Sequence, residues 1–458
     1  MPQITYHQNK QNKILFIAHS NNDLDHYLPI IQGLCATENY KPYILFLYSK
    51  KDVTNEIHKQ IINELPVNQF SYNILFKYRF IINTLFGLNR FLLRQVIGRN
   101  TRDFLYYFRV DLLIMKFCIK IINLILNQLK TILFPVKKFS EFLKSHSFSM
   151  VILDLQKLTS DLAKRDLLKY TLYHLVLESK FLSIPTFMIS HGAVTYYSKS
   201  EASKQEHHNS ALTPDVLTLC YKNEKNTLQH LIGPKTDVKF LGDTRYDSSW
   251  IEKLENISRM KNIITKTRGK YIVLVITRSF YNTNNPTLAR THVHNDILKL
   301  LDDYNDIELW FKAHPRYPAS LKVKPNERVR VFYNATDSSY LLGLADLIIS
   351  PTSGVLFHPI TKGRRVIYYD IWKKYCPDDA WTPFDDTKCV YKASNYDELK
   401  KGVLTLRRNQ LIKEEDVNKF YKAYISGGIT LKESIVERHI NAISKTLLTF
   451  KGYSPNTT

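Results

Sequence analysis

Between Ala345 and Asp370 the chain reads ADLIISPTSGVLFHPITKGRRVIYYD. Leu347, Ile348 and Ile349 form an apolar run too short for a helix, and Ser350-Pro351-Thr352-Ser353-Gly354 breaks it. Val355 to Thr361 fits a short helix, and Arg365 to Tyr369 is a second strand-like run. A helix between two such strands is the crossover that parallel pairing requires. This segment therefore commits its part of the chain to a layered α/β fold. It also sets a turn of small polar residues at a helix N-terminus, on the carboxyl edge of a parallel sheet. Free N–H groups and the helix dipole favour an anion there, and open α/β sheets bind ligands there. Small hydroxyl side chains let a phosphate approach the backbone.

The same grammar recurs along the chain. Lys13 to Ala18 is a buried strand, followed by a polar turn at His19 to Asp23, a helix through Leu28, Ile31 and Leu34, and a strand over Tyr43 to Tyr48. This opening is Rossmann-like but lacks GxGxxG, so it offers no case for a dinucleotide. Further strands are expected at Met150–Leu153, Pro185–Ile189, Asp215–Cys220 and Val238–Leu241, with helices near Asp161–Leu177 and Asn226–Ile232. Arg259 to Lys270, polar and charged, reads as a linker. Beyond it come strands at Tyr271–Ile276, Ile307–Phe311 and Val329–Phe332, and helices near Val293–Leu301 and Ser338–Leu344. A chain of 458 residues exceeds one ordinary core. The expected fold class is α/β: two Rossmann-like domains facing across a cleft. Residues 1–258 would form the first, with a basic helical insert at about 76–144, residues 259–450 the second, and 451–458 a disordered tail.

Lysine and arginine number 64 against 42 acids, a formal charge of +22. Such an excess implies an anionic partner: nucleic acid, an acidic membrane surface, or phosphorylated small molecules. The insert concentrates it. Long apolar stretches there are studded with Lys77, Arg79, Arg90, Arg94, Arg99, Arg102, Arg109, Lys116, Lys120 and Lys130. Val110 to Leu133 nears the length of a membrane span, but its lysines and asparagines would be costly in hydrocarbon. Amphipathic helices lying on an anionic membrane surface fit better; the plainer alternative is helices packed on the first domain with a solvated basic face. The cations alternate with aliphatic residues, not with stacking aromatics, so no nucleic-acid partner is expected. Five scattered cysteines without a CxxC pair indicate neither zinc nor a disulfide framework and fit a reducing cytoplasm. No apolar core precedes Ile14, so no signal peptide is expected.

Candidate chemistry collects at strand ends, which share one edge in a parallel sheet. In the second domain these are Thr277-Arg278-Ser279, Lys312-Ala313-His314-Pro315-Arg316, Pro351-Thr352-Ser353-Gly354 and Tyr369-Asp370. Arg278 and Arg316 could hold phosphate oxygens in a forked geometry, with Ser279, Lys312, His314, Thr352, Ser353, Gly354 and Asp370 completing a donor site. In the first domain the ends are His19 to Asp25, Asp154 and His191-Gly192. An imidazole at His191 could take a proton from a hydroxyl near neutral pH, with Asp25 and Asp154 as rival bases and His19 and Arg245 on the acceptor side. Each has a plainer reading: a structural histidine, a surface arginine, a helix cap. His292-Val293-His294 lacks a carboxylate or cysteine set. Asp23-Leu24-Asp25 and Asp385-Asp386 do not read as strand-end metal sites. The expected mechanism is metal-independent and uses no cofactor, with arginine, lysine and the helix dipole neutralising charge.

Taken in order, His191-Gly192, Gly242-Asp243-Thr244-Arg245-Tyr246-Asp247, Lys312 to Arg316, Ser350 to Phe357 and the later Val366-Ile367-Tyr368-Tyr369-Asp370 resemble bacterial GT-B enzymes of surface-polysaccharide synthesis. The pattern looks most like the CDP-glycerol glycerophosphotransferase-like and capsule-polysaccharide transferase families; UDP-N-acetylglucosamine 2-epimerases share that fold. The resemblance covers Lys13 to Tyr48 and Met150 to Leu406 and leaves the insert outside. It implies a nucleotide-sugar or CDP-polyol donor on the second domain and a glycan or lipid-linked acceptor on the first. It further implies His191 as base, His314 and Arg316 on the donor phosphate, and Thr352 to Gly354 as its cradle. Two departures stand out. Pro351-Thr352-Ser353-Gly354 replaces the acidic or aromatic residue before paired serines, which unsettles a CDP-glycerol donor. Phe357-His358-Pro359 replaces an acidic position on the following helix, which leaves the ribose contact unassigned. The expected location is cytoplasmic, peripheral on the inner membrane face. The rivals are a sugar-nucleotide epimerase and a non-enzymatic glycan or nucleic-acid binding protein.

Overall fold

The computed structural model describes residues 11–48, 54–71, 135–155, 158, 167–190, 212–222, 224–228, 232–261, 264–277, 283–313, 321–333, 338–351, 353–376, 381–408 and 412–450. Most of the expected basic insert lies outside them.

The first lobe contains β1 (Asn12–Ala18), α1 (Asn21–Cys35), β2 (Tyr40–Phe46), α2 (Glu56–Glu64), β3 (Asn68–Ser71), α3 (Lys137–His146), β4 (Met150–Asp154), α4 (Leu167–Phe181), β5 (Thr186–Ile189), β6 (Val216–Leu219), α5 (Glu224–Thr227) and β7 (Asp237–Phe240). Its seven strands lie in the order β3-β2-β1-β4-β5-β6-β7, all parallel. Both faces are covered, which is why these strands read as unbroken apolar runs. Leu15, Ile17, Val151 and Leu153 pack against Phe139 and Leu143 of α3 and Leu172, Leu175 and Val176 of α4. Ile14, Phe16 and Ile152 face the other way, onto Leu24, Leu28 and Ile31 of α1. Each fully buried Leu, Ile or Phe contributes about 1.5–3 kcal/mol.

The second lobe contains β8 (Tyr271–Ile276), β9 (Ile307–Lys312), β10 (Val329–Phe332), β11 (Leu347–Ser350), β12 (Val366–Tyr369) and β13 (Tyr391–Ala393). They form a second parallel sheet in the order β10-β9-β8-β11-β12-β13. Both sheets reverse their strand order at one place, between β1 and β4 and between β8 and β11. In open α/β sheets the crevice outside those strand ends is the ligand site. The two-lobed Rossmann-like arrangement expected from the strand grammar is thus present.

The connection between lobes follows the expected linker in part: residues 264–270 form neither helix nor strand. Residues 259–261 finish a helix, α6 (Ser248–Lys261), rather than opening a loop. Trp250 and Ile257 of α6 lie in the first core and Ile251 in the second, so the helix seats both lobes. A helix carrying apolar residues on two opposing faces has no single stripe to betray it in sequence. The last helix, α12 (Ile435–Thr449; α7 to α11 are Pro286–Asp303, Ser338–Leu344, Phe357–Thr361, Tyr396–Arg407 and Glu414–Tyr424), crosses back. It lies in sequence with the second domain, but Ala442 and Ile443 pack in the first core beside α1. At this crossing Gly242 has φ +91°, and a Cβ there would stand 2.8 Å from the Ile425 carbonyl oxygen. Only glycine serves at such a position. Asp243 N–H donates to that carbonyl at 2.8 Å, and Arg438 ties Ser426 O and Phe240 O at 2.6 Å each.

Candidate active site at the facing strand ends

His19 follows β1 directly and Asp23 stands in the first turn of α1. Ser20-x-x-Asp23 forms a capping box: Ser20 Oγ accepts from Asp23 N–H, and Asp23 reaches back to Ser20 N–H. The same carboxylate accepts the His19 backbone N–H at 2.7 Å and lies 2.6 Å from His19 Nδ1. Asp23 is fully buried, while the imidazole retains 14% exposure. Burial opposes the charged imidazole, yet the Asp23 hydrogen bond and charge, with Asp154 adding to them, raise the His19 pKa above its ordinary value. Burial likewise disfavours the Asp23 carboxylate, but the bonds from His19 and Ser20 win and lower its pKa. The pair is an oriented dyad: Nδ1 engages the carboxylate and Nε2 is the remaining ring nitrogen.

His19, Asp23 and Asp154 each offer an atom within 4.8 Å of one another, a spacing a cation could bridge. Asp23 already takes two backbone N–H groups, Ser20 Oγ and the imidazole. That carboxylate is committed to orienting His19.

Of the other first-lobe candidates, Asp25 turns to α2, where its Oδ1 lies 2.7 Å from His58 Nε2. Asp154 ends β4 beside β1, buried. Arg245 grips Asp243 through Nη2 at 2.9 Å and Nε at 3.3 Å, and donates through Nη1 to Asn22 at 3.0 Å. His26 Nδ1 stands 3.0 Å from Asp243 Oδ1. Burial alone would raise Asp243, but Arg245 and His26 drive its pKa far below the carboxylate range. Arg245, although buried, is held charged chiefly by Asp243. His191 lies outside the described residues.

In the second lobe Arg278, Ser279, His314, Arg316 and Thr352 lie outside the described residues. Ser353 caps the 3₁₀ turn Gly354–Leu356, its Oγ accepting from Val355 N–H at 3.3 Å. Trp372 Nε1 donates to Pro351 O at 2.8 Å and fixes the approach. Lys312 is buried, and its ammonium donates to Tyr333 O at 2.9 Å. Asp370 is also buried. Its Oδ2 lies 3.5 Å from Lys392 Nζ, while Oδ1 meets no hydrogen-bond donor among the described residues. Across the cleft, Tyr246 OH donates to Gly354 O at 2.5 Å, and its ring packs edge-on to Phe357 at 5.5 Å. Arg245 and its neighbours are thereby tied to the turn beyond β11.

The sequence reading brought His19, Asp154 and Arg245 to this floor but not Asp23 as the partner of His19. The available signal was the capping box itself, since a serine and an acid three apart after a strand end place that acid at the first helical turn.

No family model matches the chain, and no curated protein matches it. Among solved structures the chain is similar to the UDP-GlcNAc 2-epimerase of Neisseria meningitidis bound to UDP-GlcNAc, at 12% identity and TM-score 0.54, covering 94% of this chain and 100% of that one. It is also similar to the UDP-GlcNAc 2-epimerase of Methanocaldococcus jannaschii in complex with UDP-GlcNAc and UDP, at 15% identity and TM-score 0.52, covering 94% and 99%. The glycotransferase of kitacinnamycin overlays at 10% identity and TM-score 0.49, covering 95% and 99%. What the chain shares with the two epimerases is the fold: two facing Rossmann-like lobes of the GT-B type.

Proposed function

We propose that this chain is a GT-B transferase that moves a glycosyl or polyol-phosphate group from a nucleotide-activated donor to an acceptor hydroxyl. The observation that carries the reading is the opposition of two switch points. The His19–Asp23 dyad sits at one, the Ser353-Gly354 turn at the other, and Tyr246 links them. His19 removes the acceptor proton through Nε2, with Asp23 stabilising the imidazolium that forms. His191, the base suggested by the family resemblance, is the rival for this role. The donor's phosphates lie against the turn after β11, where Ser353 and Gly354, with the sequence candidates Arg278, His314 and Arg316, would neutralise the leaving charge. Asp370, whose buried Oδ1 meets no donor among the described residues, accepts a hydroxyl of the donor. UDP and UDP-GlcNAc in the named neighbours support a nucleotide-sugar ligand.

The acceptor is a glycan or lipid-linked sugar at the inner membrane face. Two observations support this. β3, the last described strand before the basic stretch, ends at Ser71 on the carboxyl edge that carries His19. Residues 72–134 contain ten lysines and arginines against two aspartates. No helix among the described residues is long and apolar enough to cross a membrane.

A second reading, epimerisation of UDP-GlcNAc, is favoured by the neighbours and by the carboxylates Asp154 and Glu224 at first-lobe strand ends. Thermal-shift screening against CMP, CDP, UDP, GDP and their sugar conjugates identifies the donor, since bound ligand raises stability by mass action. Incubation with UDP-GlcNAc alone then separates the two readings: appearance of the 2-epimer sinks the transferase, and dependence on an added glycan acceptor supports it. No shift with any nucleotide would end both.

A further inference from the structure

Glu224 opens α5 and is fully buried, yet no cation pairs with it among the hydrogen bonds and ion pairs of the described residues. Its Oε1 accepts the Ser190 hydroxyl at 2.7 Å, and its Oε2 accepts the Cys220 backbone N–H at 2.6 Å. Ser190 follows β5 and Cys220 follows β6. The ladder between these strands pairs only Phe187 with Val216 and Met188 with Leu217. The strand ends beyond it are bridged by one carboxylate. The next residue after Ser190 is His191.

We propose that Glu224 is a positioning residue, a protonation-sensitive clamp that ties the end of β5 at Ser190 to the end of β6 at Cys220. The chemistry follows from the donors it meets. Cys220 N–H can only donate, so it holds an oxygen that stays an acceptor in either state. Ser190 Oγ can donate or accept. When Glu224 is ionised, Ser190 donates to it. When Glu224 carries a proton on Oε1, that proton is donated to Ser190, whose hydroxyl must turn away to another acceptor. Cys220 Sγ, which shares a hydrogen bond with Ser190, is one such neighbour.

The groups that face this carboxylate favour a switch near neutrality. Burial raises Glu224, the bonds from Ser190 and Cys220 lower it, and the Asp243 carboxylate raises it again, leaving it at about 7. The Cys220 thiol and Tyr221 phenol are themselves pushed up by burial and by Glu224, and stay neutral. Arg245 and His26 are engaged with Asp243. Between pH 6 and 8 such a group passes from about one-tenth to about nine-tenths ionised. Linkage fixes the sign. The folded state binds this proton more tightly than the unfolded chain does, so global stability falls as pH rises from about 4.5 to about 7; release of Ser190 with Glu224 still buried removes a bond that lowers its pKa, so that local opening is favoured at low pH.

The test is hydrogen exchange of the full-length protein at pH 6 and pH 8, corrected for intrinsic base catalysis. The stretch from Thr186 to Ser190 is compared in the native chain and in Glu224→Gln, an isostere of the protonated acid. Protection that is several-fold higher at pH 8 in the native chain, and independent of pH in the variant, is the expected result. Ser190→Ala should abolish the pH dependence as well and serves if the glutamine variant folds poorly. Equal pH responses in native and variant proteins would overturn the clamp. The catalytic consequence rests on the transferase reading. With a nucleotide sugar found by the ligand screen, Glu224→Gln should lower kcat and leave donor KM unchanged. Absence of any turnover in the native chain defeats that reading, while exchange still decides the clamp.

Discussion

The two lobes share a strand order but stabilise their facing edges differently. In the first, the strand-end groups are carboxylates in side-chain pairs, some local and some long-range: Asp23 with His19, Asp243 with Arg245 and His26, Glu224 with Ser190. In the second, the described strand ends lean mostly on main-chain carbonyls. Thr277 Oγ1 donates to Lys312 O at 2.9 Å, Lys312 to Tyr333 O, Ser350 Oγ to Ile276 O at 3.3 Å and Trp372 to Pro351 O. Buried carboxylates beside an imidazole are tunable, because each partner moves the other's pKa. Carbonyl-anchored turns are not, and they hold a backbone cradle still. The transferase reading gives the proton to the first of these edges and the charged group to the second.

That contrast can be broken. His19→Ala should lower turnover of the screened nucleotide sugar by about 10²–10⁴-fold with an unchanged melting temperature; near-native turnover would take the dyad out of the chemistry and leave His191 as the base. Asp243→Asn leaves Arg245 buried without its counter-charge and should cost about 3–5 kcal/mol in denaturant unfolding. A loss below 1 kcal/mol would mean that the first lobe's charges are dispensable.

A finer test uses pH. The His19 imidazole must be neutral to accept a proton, so activity rises as pH climbs through its pKa, which Asp23 holds above 6.5. Asp23→Asn leaves burial acting with less opposition, and the acid limb of the pH–rate profile should move to lower pH. An unmoved limb would assign it to another group. The smallest effects belong to the second lobe. Tyr246→Phe removes the bond to Gly354 and should cost about 1 kcal/mol, and Ser353→Ala about 0.5–2 kcal/mol through the lost cap. If Ser353→Ala also weakens nucleotide binding in calorimetry, the turn is a cradle; unchanged affinity would leave it only a cap.

Strand positions were legible because each is a short apolar run with a polar residue at its end. Tyr271–Ile276 and Val329–Phe332 match to the residue, and β1 differs by one. The short strand β3, the two-faced helix α6 and the helices from Tyr396 onward were not foreseen. β3 is largely exposed, with burial shared among aromatic neighbours such as Phe70 against Tyr43. Asp25 and Asp23 look alike in sequence, two residues apart on one helix. Helical geometry turns them about 200° apart, sending Asp25 to His58 and Asp23 to His19.

Local chemistry alone determined that this chain alternates buried strands with helices, sets small polar turns at strand ends and carries a large positive charge. These properties depend on neighbouring residues and their periodicity. That Asp25 turns to His58, that Glu224 joins the ends of β5 and β6, and that α12 returns to the first lobe depend on residues tens to hundreds of positions apart. Only the folded chain brings such groups within hydrogen-bond reach, because burial and pairing energies act on distance in space and carry no trace of order along the backbone.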